Sequence, residues 1–131
     1  MNERELLAAI VELCDSLDAP VRWVHIRDSR REPGPWVCGL PDLFLLGEHA
    51  CMWRELKGSG TLHRGQLAWR QWLWQAGQDA GVWHVSDLCN GRIEAELRGL
   101  NEPRPGQVAD TPEEAWLRVL YRPQPPAGPA G

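Results

Sequence analysis

The segment that decides the fold spans residues 39–74 and reads GLPDLFLLGEHACMWRELKGSGTLHRGQLAWRQWLW. It opens on a turn that contains Asp42, and the apolar letters that follow predict a buried strand. A short Gly-Glu-His turn leads to residues 51–57, whose alternation predicts a partner strand. In an antiparallel hairpin the start of one strand lies near the end of its partner. We therefore expect Asp42 to lie beside Glu55 and Lys57.

The second half of this segment predicts an amphipathic helix from a cap at Thr61 to about Gln78. Gln66 falls within the apolar stripe of that helix, and a polar side chain on a packed face needs a hydrogen-bond partner. Its position one turn into the helix suggests a role near Glu55, although a satisfied buried amide would look the same. The apolar members of the stripe are Leu62, Trp69, Leu73 and Ala76.

The N-terminal segment predicts a helix over residues 3–17. Its apolar stripe consists of Leu6, Ile10, Leu13 and Leu17. Extending that stripe backward by three residues reaches Glu3, which could therefore point toward the sheet. An acid favoured by the helix macrodipole at this position is the other interpretation. Further strands are predicted at residues 21–26 and 82–86, and a short helix interrupted by Asn90-Gly91 follows the second.

Composition limits the class of protein without identifying it. A length of 131 residues predicts one domain, and a net charge of −4 argues against a generic basic nucleic-acid coat. It does not exclude a nuclease, because metal-binding carboxylates count as negative until the metal arrives. We expect most of the eight tryptophans to lie in the core.

The four cysteines form no CxxC pair, which makes a zinc knuckle an unlikely interpretation, and each is expected to be a small buried hydrophobe. The sequence shows no signal peptide and no apolar run of membrane length. We therefore expect an intracellular, cytoplasmic protein with reduced thiols.

The densest basic cluster is the run RDSRR at residues 27–31. Such a run is usually a solvated loop, but arginine forks also match phosphate oxygens bidentately. On the second interpretation Arg27, Arg30 and Arg31 bind a nucleic-acid backbone. His25, at the end of the preceding strand, and Arg64, near the start of the central helix, are further candidates for that surface.

The acidic hairpin carries the groups that phosphodiester cleavage requires. Asp42 and Glu55 are hard oxygen ligands of the kind that Mg²⁺ or Mn²⁺ prefers, and the backbone carbonyl of Leu56 is a natural third ligand. Lys57 could orient the attacking water and offset the charge that develops on the phosphate. An ordinary strand with a salt bridge at its end would show the same spacing.

Residues 39–57 resemble the PD-(D/E)xK nucleases, because Pro41-Asp42 and Glu55-Leu56-Lys57 match the two halves of that motif. The similarity is closer to the VRR-NUC branch. That branch combines a Gly-x-Pro-Asp-Leu turn, a Glu-Leu-Lys with a glycine-containing loop, and a glutamine on a Trp-rich helix. The corresponding residues here are Gly39–Leu43, Glu55–Lys57 with Gly58, and Gln66-Leu67-Ala68-Trp69.

The early helix glutamate of the branch maps to Glu3, which would join the catalytic set and reach the metal through a water molecule. Stand-alone phage members are similar at residues 25–30 and 82–87, so the resemblance covers roughly residues 3–100. One departure is that the family often has Ser/Thr-Pro-Glu-Gln before the helix. This chain has LHRGQ at residues 62–66, which predicts a looser helix start.

The resemblance implies an α/β fold with a restriction-endonuclease-like core over residues 1–100, in which helices flank both faces of a mixed sheet of four or more strands. It implies a Mg²⁺- or Mn²⁺-dependent endonuclease, phage-encoded or bacterial, that cuts branched DNA such as Holliday junctions. Similar small resolvases act as dimers, so a homodimer is expected. Residues 101–121 would form a Pro/Gly-rich extension with a short helix, and 122–131 a disordered tail.

Two other functions fit the sequence. A DNA-binding or assembly subunit could keep a nuclease-like fold without useful catalysis. An unrelated small α/β ligand-binding protein could carry the same acids for structural reasons, but it would have to explain why they converge with Lys57 and Gln66.

Overall fold

A computed structural model describes residues 1–26 and 38–103 of the chain. Four helices and four strands make up these residues, which form an α/β arrangement. In chain order they are α1 (Glu3–Ser16), β1 (Arg22–His25), β2 (Leu43–Leu46), β3 (Cys51–Lys57), α2 (Arg64–Gln75), β4 (Ala80–His84), α3 (Val85–Cys89) and α4 (Arg92–Gly99).

The strands form one mixed sheet in the order β1-β2-β3-β4. The first three strands are antiparallel neighbours, and β4 lies parallel to β3 after the crossover through α2. The register pairs Leu43 with Arg54 and Lys57 with His84. The predicted four-stranded mixed sheet with flanking helices is therefore confirmed.

The core lies between one face of the sheet and helices α1 and α4. Alternation directs Leu43, Leu45 and Met52 to this face, where all three are buried. Most of the stripe predicted for α1 packs here, but Cys14 is buried and Leu13 is only partly buried. The buried helix residues are Leu6, Ile10, Cys14, Ile93 and Leu97.

The opposite face carries the aromatic pair Phe44 and Trp53, whose ring centroids lie 4.7 Å apart, and it packs against α2. The prediction that most tryptophans belong to the core is wrong for the described residues. Trp83 is fully buried, whereas Trp72 and Trp74 on α2 are nearly half exposed. Helix α2 covers the sheet with one side only, so a tryptophan-rich helix necessarily presents some of its rings outward.

Several element boundaries differ from the sequence prediction. Strand β4 begins at Ala80, because Trp53 N–H already donates to Asp79 O at 2.8 Å, and it ends at His84, where α3 begins. Helix α2 ends at Gln75, after which Gly77 adopts a left-handed φ of 78°. Two cysteines predicted to be buried, Cys38 and Cys89, are exposed.

The far end of the β2–β3 hairpin is held by the end of α4. Leu100 O accepts hydrogen bonds from His49 N–H at 2.9 Å and from Ala50 N–H at 3.2 Å. A Cβ at Gly47 would lie 2.5 Å from Leu100, so only glycine fits this turn. This end of the hairpin is therefore fixed by hydrogen bonds to the residue that follows α4.

The predicted basic loop at residues 27–31 and the C-terminal helix and tail beyond residue 103 lie outside the described residues. Among the residues that are described, no helix is both long and apolar enough to cross a membrane.

Candidate active site

Asp42 and Glu55 meet at one end of the sheet, on the face that packs against α2. The register that pairs Leu43 with Arg54 places Asp42 opposite Glu55, so the two side chains leave the sheet on the same side. The backbone carbonyl of Asp42 accepts a hydrogen bond from Ile26 N–H at 2.7 Å. Asp42 Oδ2 accepts another from Leu56 N–H at 2.9 Å. The aspartate is therefore fixed against both neighbouring strands.

The carbonyl of Leu56 is directed toward the same end of the sheet. In a strand the N–H and C=O of one residue point to the same side, and Leu56 N–H points at Asp42. Continuing the register by two residues places Pro41 opposite Leu56, and proline has no N–H to donate. The Pro-Asp sequence thus replaces one ladder bond with the Asp42 carboxylate and leaves the Leu56 carbonyl available to a ligand.

Glu55 is a buried carboxylate, only 7% exposed. Its Oε1 accepts a hydrogen bond from Gln66 Nε2 at 2.5 Å, so the inward glutamine predicted on α2 does contact the acid. Its Oε2 is buried and makes no hydrogen bond. A buried anionic oxygen without a donor is costly, and it marks a position where a proton or a cation is needed.

The pKa of Glu55 is raised from 4.5 to about 8, first because burial removes water and then because the Asp42 carboxylate lies beside it. The two acids are close enough to share a hydrogen bond, which also favours the protonated form, while the positive charge of Lys57 acts in the opposite direction. The arrangement therefore holds either a shared proton or a bound cation between the acids.

Helix α2 begins with a capping box built from His63 and Gln66. Gln66 N–H donates to His63 Nδ1 at 3.4 Å, and His63 N–H donates to Gln66 Oε1 at 3.1 Å. The predicted cap at Thr61 is wrong, because His63 supplies the acceptor two residues later. The expected looser start is also not found, since the box satisfies one backbone donor in each direction.

The turn that carries Asp42 is pressed against this helix start. Gly39 has a left-handed φ of 92°, and a Cβ there would lie 2.3 Å from the backbone of Gly65. Only glycine fits, because it has no Cβ and tolerates this backbone conformation. The close approach brings the acidic turn and Gln66 together.

Two basic side chains flank the acids. Lys57 follows Glu55 by two residues on the same face, and its charge acts on the Glu55 carboxyl. His84, which sequence reasoning did not select, pairs with Lys57 in the parallel register and so ends β4 beside it. Its Nδ1 lies 3.6 Å from Asp87 Oδ2. The signal that could have identified it is its place at the end of the strand that adjoins the Glu-x-Lys strand.

Glu3, the acid expected from the N-terminal helix, lies near the end of β3. Its Cγ is 3.6 Å from the position that a Cβ on Gly58 would take, so α1 begins beside the end of β3. Glu3 is exposed. Within residues 1–26 and 38–103, no three His, Cys, Asp or Glu side chains form a group that could hold a metal ion. The oxygen atoms that meet at this end of the sheet are those of the Asp42 and Glu55 carboxylates and of the Leu56 carbonyl.

The candidate nucleic-acid-binding residues are distributed differently. Arg64, the first residue of α2, is exposed two residues before Gln66. His25 is exposed on β1 and pairs with Leu43, which places it on the core face, opposite the acids. Arg27, Arg30 and Arg31 lie outside the described residues.

Comparisons with known proteins give no match for this chain among protein-family models, among curated proteins or among solved structures. The functional argument therefore depends on the residues and on their geometry.

Proposed function

We propose that the protein is a divalent-metal-dependent endonuclease of the PD-(D/E)xK type, resembling the VRR-NUC branch, which hydrolyses DNA phosphodiester bonds. The observation that carries this proposal is the buried, unpartnered Glu55 Oε2 against the Asp42 carboxylate. Two acids forced together in a partly dry site are a poor structural element, because each disfavours the charge of the other. They are a good cation site for the same reason.

The donor set suits Mg²⁺ or Mn²⁺. Asp42 and Glu55 supply carboxylate oxygens, and Leu56 supplies the carbonyl that Pro41 leaves available. Both cations prefer hard oxygen ligands, and Mg²⁺ keeps several waters, so a set of three protein oxygens is sufficient. When bound, the cation would polarise the phosphate and lower the pKa of a coordinated water.

The chain's own residues would perform the remaining tasks. Lys57 is placed to orient the attacking water and to offset the charge on the phosphorane. Gln66 holds Glu55 through Oε1 and so keeps Oε2 directed at the cation site. The water would lose one proton as its oxygen forms a bond to phosphorus, one P–O ester bond would break, and the leaving oxygen would take up one proton.

The fold agrees with this interpretation, since a mixed sheet with flanking helices is what the resemblance implies. A homodimer acting on branched DNA belongs to the proposal, because two such sites would cut paired strands and would enlarge the basic surface of one chain.

The decisive experiment incubates the full chain with a fluorescent four-way junction and with a linear duplex, in Mg²⁺, Mn²⁺ or EDTA. We expect metal-dependent cleavage that is lost in Asp42→Ala and Glu55→Ala and retained in Glu12→Ala, an exposed acid on α1. Junction binding without cleavage would instead support a DNA-binding subunit. The absence of both would contradict the proposal.

The dimer is tested separately by light scattering with and without junction DNA. A protein that cuts the junction while remaining a monomer at every concentration would refute the paired-cut element and leave the nuclease intact.

A further inference from the structure

The first turn of α2 contains a histidine that performs an unusual task for its residue type. Ser, Thr, Asp and Asn are the preferred N-caps, whereas histidine is not among them. Here His63 Nδ1 accepts the Gln66 N–H, and the ring lies against Gly65, where a Cβ would be 3.3 Å from its Cε1. The imidazole must therefore present an unprotonated Nδ1 to the helix.

The capping box also determines which end of the Gln66 amide faces the acids. Gln66 Oε1 accepts from the backbone N–H of His63, so the side-chain nitrogen remains for Glu55 and donates to Glu55 Oε1. The His63 ring holds that backbone in place by accepting the Gln66 backbone N–H at Nδ1. If the amide were reversed, Gln66 Oε1 would face the Glu55 carboxylate, and the Gln66 NH₂ group would face the backbone N–H of His63. Neither pair could form a hydrogen bond. The orientation thus follows from the hydrogen-bond network and does not depend on the glutamine alone.

We propose that His63 is a positioning residue of the carboxylate pair, whose cap on α2 holds the Gln66 amide with its nitrogen on Glu55. This inference deepens the function proposed above and rests on it for the consequence at the metal. Gly39 and Gly65 are the supporting elements, since their backbone contact fixes the helix start against the turn of Asp42. His63 itself is exposed and remote from the Glu55 carboxyl, so it acts through Gln66.

The first test observes Gln66 directly, in the full chain and without metal. The side-chain amide of Gln66 is followed by ¹⁵N NMR in the wild type, His63→Ala and His63→Asn. We expect a displaced, exchange-protected amide in the wild type, a shift toward the free-glutamine position in His63→Ala, and recovery in His63→Asn, because asparagine is a strong cap. Thr61→Ala is the matched control: this residue lies two positions earlier, does not cap the helix, and should leave Gln66 unchanged.

The second test measures Mn²⁺ binding by calorimetry on the same variants. We expect the apparent Kd to rise about tenfold in His63→Ala, as for other residues that orient a metal ligand, and to recover in His63→Asn. In a Gln66→Ala background the same change at His63 should have no further effect on Mn²⁺ affinity, because the connecting amide is gone.

The outcomes separate this inference from the proposed function. An unchanged Gln66 amide in His63→Ala, or a His63→Asn variant that behaves like His63→Ala, would overturn the positioning role. If the Gln66 amide responds to the His63 substitutions as expected but the wild-type protein binds no Mn²⁺, the positioning role would be supported and the metal-dependent nuclease refuted.

Discussion

Arg54 and Glu55 are consecutive residues of β3, both buried, and they point to opposite faces of the sheet. On the core face, Arg54 donates to Asp79 Oδ1 at 2.8 Å and to Glu96 Oε1 at 2.7 Å, and its guanidinium lies 5.4 Å from the Trp83 ring centroid. On the other face, Glu55 meets Asp42, a charge of the same sign.

The network around Arg54 continues into the helices. Arg92 Nε lies 2.8 Å from Glu96 Oε2, and Arg92 also pairs with Asp87, so charges alternate in sign from β3 to α3. Arg54 and Glu55 each have one buried atom without a hydrogen bond, Nε of Arg54 and Oε2 of Glu55. The two residues differ in the sign of the charges around them. Acids of opposite charge neutralise Arg54, which therefore links β3 to the helices. Glu55 faces an acid of the same sign, and this repulsion costs free energy that a bound cation would recover.

The largest expected effect comes from Glu55→Gln in the presence of EDTA. In the wild type the pKa of Glu55 is raised from 4.5 to about 8, so the folded chain keeps a proton that the unfolded chain loses. Below pH 4.5 both states are protonated and stability is unaffected. Between pH 4.5 and pH 8, the free energy of unfolding of the wild type falls by up to about 1.4 kcal/mol for each unit of pH increase. Above pH 8 the loss of stability is constant.

Water that reaches the acid pair reduces this loss of stability. We therefore expect the free energy of unfolding of Glu55→Gln to exceed that of the wild type by about 2–3 kcal/mol at pH 8. The gain should vanish near pH 4.5. With Mg²⁺ in place of EDTA, the variant should not cleave DNA. Urea unfolding at the two pH values measures the gain in stability. Equal stabilities of the two proteins at pH 8 would show that the acids are not in conflict.

Arg54→Met should lower the free energy of unfolding. Removing the arginine leaves Asp79 and Glu96 facing the core edge without their shared partner. Since Asp79 is half exposed and Glu96 keeps Arg92, we expect a loss of about 2–3 kcal/mol, below the value for a fully buried pair.

The matched control is Arg98→Met, an exposed arginine paired with Glu94, for which a change below about 0.5 kcal/mol is expected. Urea unfolding of both variants decides the comparison. A loss in Arg54→Met no larger than in Arg98→Met would mean that the network contributes nothing.

Apart from the Arg98→Met control, the smallest expected effect is that of Gly81→Ala. A Cβ on Gly81 would contact the Arg54 guanidinium at 3.5 Å, which is an ordinary van der Waals distance. Because glycine also weakens a strand, we expect a change within about 1 kcal/mol of zero, on the stabilising side. A thermal unfolding scan measures it, and a large loss of stability would indicate that Arg54 needs room to move.

Much of the fold follows from the sequence alone. Alternation in CMWRELK placed Arg54 with Met52 and Leu56 and placed Glu55 on the other face, and the register confirms both assignments. The hairpin predicted Asp42 beside Glu55 for the same reason, since a two-residue period and a short turn leave little freedom.

Other features depended on contacts that no local pattern records. The cap fell on His63 and not on Thr61, because a preference for hydroxyl caps is only a tendency and the neighbouring Gly39 turn fixes where the helix begins. The tryptophans of α2 resemble core residues by type, but a helix on the outer side of a sheet buries only one of its sides.

The sequence by itself determined the strands, their faces, and the meeting of an aspartate with a Glu-Leu-Lys strand, because side-chain alternation and turn length are local properties. Only the tertiary structure decided which buried charge is satisfied. Glu96 reaches Arg54 from 42 residues away, whereas Glu55 Oε2 has no hydrogen-bond partner within residues 1–26 and 38–103. Burial and the sign of distant neighbours are properties of the packed molecule, and they distinguish the structural charge from the proposed functional one.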